Sequence, residues 1–258
     1  MSDLFEISGK TALVTGGSRG IGLMIAEGLV RAGARVVVSS RKEQDVRAAA
    51  EQLAAIGDCV AIPGDISSPD GAKALAGATV ERFPALNILV NNAGATWGAP
   101  IEEFPAGGWD RVMHTNVEGV FHLTVGLLGA LRAAASEEDP ARVINIGSID
   151  GLRTPMAESY SYGASKAAVH MLTRHLARRL AGERITVNAI APGPFESKMM
   201  AFLLDDPASR AALEQNVPLG RIGRPDDVAG LTQFLASRAG AYMTGTVIPL
   251  DGGITGCG

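Results

Sequence analysis

Lys10-Thr11-Ala12-Leu13-Val14-Thr15-Gly16-Gly17-Ser18-Arg19-Gly20-Ile21-Gly22 runs from a short apolar segment straight into glycine, and the reading of that junction decides the fold. Residues 10–15 have the composition of a buried strand, and the amphipathic stretch 20–32 reads as a helix. Glycines between them let the backbone turn sharply and come close to a pyrophosphate, whose charge is met by the unpaired N–H groups at the helix start. Such a turn also occurs for purely structural reasons. Its place at the first strand-to-helix junction is what favours a dinucleotide site.

The same alternation continues outward. Val- and Ile-rich runs near 34–39, 59–62, 86–91, 141–147, 184–190 and 246–250 read as strands, with helices near 43–56, 69–83, 108–135, 160–181 and 225–237. The runs are apolar without a period of two, as strands covered on both faces are. The expected fold is therefore α/β: a single doubly wound Rossmann-type domain over 1–258, its seven-stranded sheet mostly parallel, with helices on both faces. An excursion at about 193–224, with a helical stretch near 199–215, interrupts the alternation. Its cluster Met199, Met200, Phe202, Leu203 and Leu204 reads as a lid over a site or as added core.

Composition narrows the partners. With 47% hydrophobic and 19% charged residues the chain is ordinary globular material, and a formal net charge of −4 with scattered basic residues argues against nucleic acid. Cys59 and Cys257 are too few and too far apart for a disulfide framework, and the four histidines (114, 122, 170, 175) form no metal-ligand pattern, so no metal is expected. The acidic N-terminal segment lacks the apolar stretch of a secretory signal, and no run of about 18 apolar residues suggests a membrane span. A cytoplasmic protein with a small-molecule substrate is the expectation.

Tyr162 and Lys166 carry the chemistry. Four residues apart on an expected helix, they share a face, and an ammonium beside a phenol lowers the phenol's pKa toward a range useful for proton transfer. Only five of the 23 basic residues are Lys, which singles out the one at 166; Tyr160, by contrast, is followed four residues later by Ala164.

Read together, Thr15-Gly16-x-x-x-Gly20-x-Gly22, Asn91-Asn92-Ala93-Gly94, Asn116, Ser148, the Tyr162/Lys166 pair, Pro192-Gly193 and Asp251-Gly252-Gly253 resemble, in order, the motifs of the short-chain dehydrogenase/reductase family in its branch of roughly 250 residues. The resemblance spans nearly the whole chain. It implies an oxidoreductase in which Tyr162 is the acid/base, Ser148 orients a carbonyl, Lys166 lowers the tyrosine pKa and holds the nicotinamide ribose, and Asn116 supports a water relay to Lys166. It further implies cofactor contacts at Gly16, Ser18, Arg19, Gly20, Ile21 and Gly22, at Asp65 and Ile66 beside the adenine, and at Asn92, Ala93 and Gly94 beside the adenosine ribose. Pro192, Gly193, Phe195 and Ser197 fall by the nicotinamide.

At the end of the second strand, where an acid would bind a ribose 2′-hydroxyl, stand Ser40 and Arg41. With Arg19, Arg41 suits a 2′-phosphate, so NADP(H) is the expected cofactor. Within the family the resemblance is to bacterial 3-oxoacyl thioester reductases, including those associated with rhamnolipid synthesis. They share the Asn-Ile-Gly-Ser run, the long interval of 14 from Ser148 to Tyr162, and the C-terminal Ala-Tyr-Met-Thr-Gly-Thr-Val-Ile-Pro-Leu-Asp-Gly-Gly. A 3-oxoacyl reductase is thus expected, with a carbonyl reductase or secondary-alcohol dehydrogenase, and a non-catalytic NADP(H) binder, as alternatives. The family also implies a homotetramer, or a homodimer, formed through the long helices.

Overall fold

The computed structural model describes residues 2–155, 157–196 and 206–257. Seven strands, β1 (Thr11–Thr15), β2 (Arg35–Ser39), β3 (Cys59–Ala61), β4 (Ile88–Asn91), β5 (Ala141–Ile146), β6 (Ile185–Pro192) and β7 (Val247–Leu250), make one sheet in the order β3-β2-β1-β4-β5-β6-β7. Every pairing is parallel, so the sheet is more uniform than the mostly parallel one expected. The helices are α1 (Gly20–Arg31), α2 (Glu43–Ala54), α3 (Pro69–Arg82), α4 (Ala106–Met113), α5 (Gly119–Ala134), α6 (Tyr160–Leu180), α7 (Pro207–Gln215) and α8 (Pro225–Ala236).

The pleat explains the unbroken apolar runs. Val36 and Val38 of β2 point into a core shared with Ile25 and Leu29 of α1 and Leu235 of α8. Val37, between them, points into the opposite core with Leu75 of α3 and Leu123, Leu127 and Leu131 of α5. A strand that feeds both layers carries apolar residues on both faces, which removes the alternation. The composite helical span Ala106–Ala134 is long and apolar enough by composition to cross a membrane. Its fully buried Leu123, Leu127 and Leu131 instead belong to the core of this domain.

Two expectations need correction. Residues 108–135 are not one regular helix: α4 and α5 are joined by a π-helical turn, His114–Glu118. In the excursion the described helix is Pro207–Gln215, begun by the Asp206 side chain, which accepts the Ser209 N–H at 2.8 Å. Residues 197–205, including the Met199–Leu204 cluster, lie outside the described residues.

The chain runs outward from β1 to β3 and then returns to place β4 on the other side of β1. The loops after β1 and β4 therefore diverge, opening a crevice at the carboxyl edge. Thr15 ties the two loops together: its hydroxyl donates to the Val90 carbonyl at 3.3 Å and accepts the N–H groups of Asn92 and Ala93, both at 3.0 Å. Asn92 returns the tie through its amide, donating to the carbonyls of Thr15 (2.9 Å) and Gly16 (3.2 Å). Thr15→Val keeps the shape but strands two buried N–H groups, and we expect a loss of about 2 kcal/mol in urea unfolding. NADPH affinity, measured by fluorescence titration, should fall with it.

Candidate active site

A cleft of about 600 Å³ follows the carboxyl edge of the sheet from the glycine turn to Tyr162, within the usual range for ligand pockets. At one end Gly16 has φ +64°, a left-handed conformation that glycine adopts without strain. Gly22 has a different reason: a Cβ there would collide with the Asn92 amide and the Gly16 carbonyl. The N-terminus of α1 carries no side-chain cap, and Gly20, Ile21 and Gly22 all line the cleft, so the first turn presents its polar end to the cavity. Ser18, Arg19, Ser40 and Arg41 stand on the same wall, and neither arginine forms an ion pair among the described residues. Lys42, which the sequence reading did not single out, adds a third cation. Unpaired cations, hydroxyls and free helix N–H groups fit a phosphorylated dinucleotide.

The middle of the cleft is bordered by Asp65, Ile66, Asn92, Ala93 and Gly94. At the far end Ser148, Tyr162 and Lys166 converge beneath Pro192, Gly193 and Phe195. Ser148 leaves β5 on an extended backbone and caps the following turn, its hydroxyl accepting the Asp150 N–H at 3.1 Å. Tyr162 is half-buried in the first turns of α6, its phenol near enough to the Ser148 hydroxyl to feel it. Lys166 is buried, with Nζ donating to the Ile146 carbonyl at 2.8 Å and lying 5.5 Å from the Tyr162 ring centroid.

Asn116 lies behind the cleft wall rather than in it. Its amide accepts the Ala95 N–H at 2.7 Å and donates to the Ala95 carbonyl and the Ser165 hydroxyl, each at 2.9 Å. Ser165 in turn donates to the Tyr162 carbonyl at 2.7 Å. A Cβ placed on Gly94 would lie 3.3 Å from Asn116 Oδ1 and 3.8 Å from Lys166 Nζ, so both polar atoms face this stretch of backbone. Ser197 lies outside the described residues. Residues the sequence did not single out also border the chemical end: Asp150 and Arg153 from the loop after Ser148, Leu213 from α7 and Ile254 from the C-terminus. The only sequence signal for the first two was their place in the long Ser148-to-Tyr162 interval.

The electrostatics differ from the expectation. Burial pushes the Tyr162 phenol up to about 12, aided by the Asp150 charge, while the Ser148 hydroxyl pulls the other way. Lys166 is not among the groups that act on it. Burial brings Lys166 itself down to about 8. Desolvation, with no opposing contribution from the cation, therefore sets the phenol's pKa, and the phenol is protonated at neutral pH.

Comparison with known proteins agrees with this geometry. A family model described as Enoyl-(Acyl carrier protein) reductase matches residues 16–255. The rhamnolipids biosynthesis 3-oxoacyl-(acyl-carrier-protein) reductase of Pseudomonas aeruginosa is 52% identical over 253 residues, covering 98% of this chain and 99% of that protein. The 3β-hydroxysteroid dehydrogenase 1 of Eggerthella lenta is 36% identical over 254 residues, 97% of this chain and 95% of that one. Among solved structures, the Pseudomonas aeruginosa RhlG/NADP active-site complex superposes with a TM-score of 0.96 at 52% identity, covering 99% of this chain and 100% of that one. This chain belongs to the short-chain dehydrogenase/reductase family.

Lys166 yields a stability prediction with a definite sign. Its folded pKa of about 8 lies below the ordinary lysine value of 10.5, so folding penalises the charged lysine in full below pH 8, and the penalty fades as pH rises toward 10.5. Cofactor-free Lys166→Met should therefore unfold at higher denaturant than the parent at pH 7, by roughly 1–3 kcal/mol, while losing turnover. The gain should shrink by pH 10; a gain that is constant with pH would refute the assignment.

Proposed function

We propose that this chain is an NADPH-dependent reductase that converts the ketone of a 3-oxoacyl thioester to a secondary alcohol. The observation that carries the reaction is the placing of two hydroxyls, Ser148 and Tyr162, with Lys166 in one cleft that is also lined by Arg19, Arg41, Lys42 and a helix N-terminus. The substrate class rests on the Pseudomonas aeruginosa relative. NADPH supplies a hydride to the carbonyl carbon. Negative charge then develops on the carbonyl oxygen, where two hydroxyl donors are worth most in a site that excludes water.

In this reading Ser148 donates a hydrogen bond to the oxygen and Tyr162 transfers its proton to it. Lys166 holds the nicotinamide ribose and supports the phenolate left behind. Asn116 anchors the strand-end backbone at Ala95 to α6 through Ser165. Gly16, Ser18, Arg19, Gly20, Ile21 and Gly22 receive the pyrophosphate end. Ser40 and Arg41, with Lys42, receive the 2′-phosphate. Asp65, Ile66, Asn92, Ala93 and Gly94 border the adenosine half, and Pro192, Gly193, Phe195 and Ser197 the nicotinamide. The excursion at 193–224 acts as the substrate lid, supported by Leu213 of α7 on the cleft wall.

A second reading, reduction of non-thioester ketones or oxidation of secondary alcohols, is favoured by the 36% identity to a hydroxysteroid dehydrogenase. A panel of 3-oxoacyl thioesters and simple ketones, followed by NADPH absorbance, separates the two. We expect turnover on the thioesters and a clear preference for NADPH over NADH. Tyr162→Phe should lower turnover by at least about a thousandfold, the scale of a lost acid catalyst. NADPH binding should survive, which a protein that only binds the nucleotide would show without any loss of turnover.

We further propose a cytoplasmic homotetramer, a homodimer being the smaller alternative. Phe121 and Val125 of α5 and Met171 of α6 are exposed apolar side chains on the outer faces of the two long helices, and both cysteines are free. Such faces support burial against further copies of the chain. Sedimentation at micromolar concentration should give about four times the monomer mass, and a monomer would contradict the assembly.

A further inference from the structure

His170 continues the stripe of α6 that carries Tyr162 and Lys166, two turns and one turn before it. It is 2% exposed, and no well-formed hydrogen bond reaches either ring nitrogen among the described residues, the Gly151 carbonyl being the one backbone acceptor that acts on the ring. A buried imidazole so poorly partnered is an unfavourable filler; a leucine there would leave no polar atom unpaired. Burial lowers its pKa to about 4, with the Gly151 carbonyl opposing and the charges of Lys166 and Arg174 adding to the fall, so the ring is neutral.

What the ring touches gives it a purpose. A Cβ on Gly147 would collide with His170 Nε2 and lie 2.8 Å from Cδ2. A Cβ on Gly151 would lie 2.8 Å from His170 Cε1. The imidazole therefore sits directly against the α-carbons of two glycines that bracket one turn, and that turn carries Ser148. The turn's other ties are short-range or at its base: Gly147 N–H to the Ile190 carbonyl at 2.7 Å and Gly151 N–H to the Ser148 carbonyl at 3.0 Å. Neither bond reaches α6; the turn meets that helix where Gly151 lies against the backbone of Lys166 and Ala167, and where the His170 ring lies against both Gly147 and Gly151.

We propose that His170 is a positioning residue that sets the Ser148 turn on α6, so that Ser148 and Tyr162 meet the same substrate oxygen. The inference rests on the reading of Ser148 as the carbonyl donor. Because it acts through Ser148, its effect should vanish when that hydroxyl is absent.

The test is a double-mutant cycle on the full chain with NADPH and a 3-oxoacyl thioester, combining His170→Leu with Ser148→Ala. His170→Leu should melt at or above the parent temperature, bind NADPH with unchanged Kd, and lose about tenfold or more in kcat with little change in the KM for NADPH. In the Ser148→Ala background the same substitution should cost nothing further. His170→Gln, which retains a polar planar group, serves if the leucine variant is insoluble and should recover part of kcat. Unchanged kcat in His170→Leu, or losses that multiply independently in the double mutant, overturn the proposal. So does failure of both His170 variants to fold, which would make the ring a stability residue. If Ser148→Ala alone leaves turnover intact, it is the reading of Ser148 that fails.

Discussion

A phenol and an ammonium are enclosed together where neither is cheaply charged, and the architecture around them exists to tolerate that. Lys166 can be buried, and Tyr162 half-buried beside it, because the Ile146 carbonyl at the end of β5 is left to accept the ammonium and the Ser148 hydroxyl lies near the phenol. Desolvation dominates both groups, raising one pKa to about 12 and lowering the other to about 8. The two values move toward the same state, a protonated phenol beside a readily neutralised amine. A reductase needs its proton on the acid before the hydride arrives, and that is the state burial selects.

This ordering also shows where sequence reasoning reached and where it stopped. The strands were legible because each must feed two cores, which leaves an unbroken Val/Ile run such as Arg35-Val36-Val37-Val38-Ser39. The cleft was legible because glycines at 16 and 22 answer local demands of turn and close approach. The sign of the tyrosine shift was not, since a spacing of four reports that Lys166 is near but not how much water is excluded from both. The π turn at His114–Glu118 was hidden for a related reason. Its pattern of apolar residues differs little from an α-helix, and Asn116 is held there by Ala95 and Ser165, which are distant in sequence.

Substrate choice is set elsewhere. The glycine turn, the Thr15–Asn92 tie and the hydroxyl pair all lie on the sheet edge, and they serve any ketone that brings its oxygen to one point. The family comparison reflects this, since relatives named for acyl-carrier thioesters and for steroids both align along nearly the full chain. Among the described residues that border the cleft away from the sheet, the turn after Ser148 contributes Asp150 and Arg153, and α7 contributes Leu213.

None of these three residues belongs to a strand, and in the proposed reaction the Ser148 turn carries a double burden. In that reading it leaves Asp150 and Arg153 at the cleft wall while keeping the Ser148 hydroxyl fixed. A loop held only by its own backbone bonds would couple the two, so that any change in substrate contacts would displace the catalytic group. An anchor from beneath, on the helix that carries Tyr162 and Lys166, separates them. The hydroxyl's height is then referred to α6, and the residues beyond Gly151 can vary with the substrate without disturbing it.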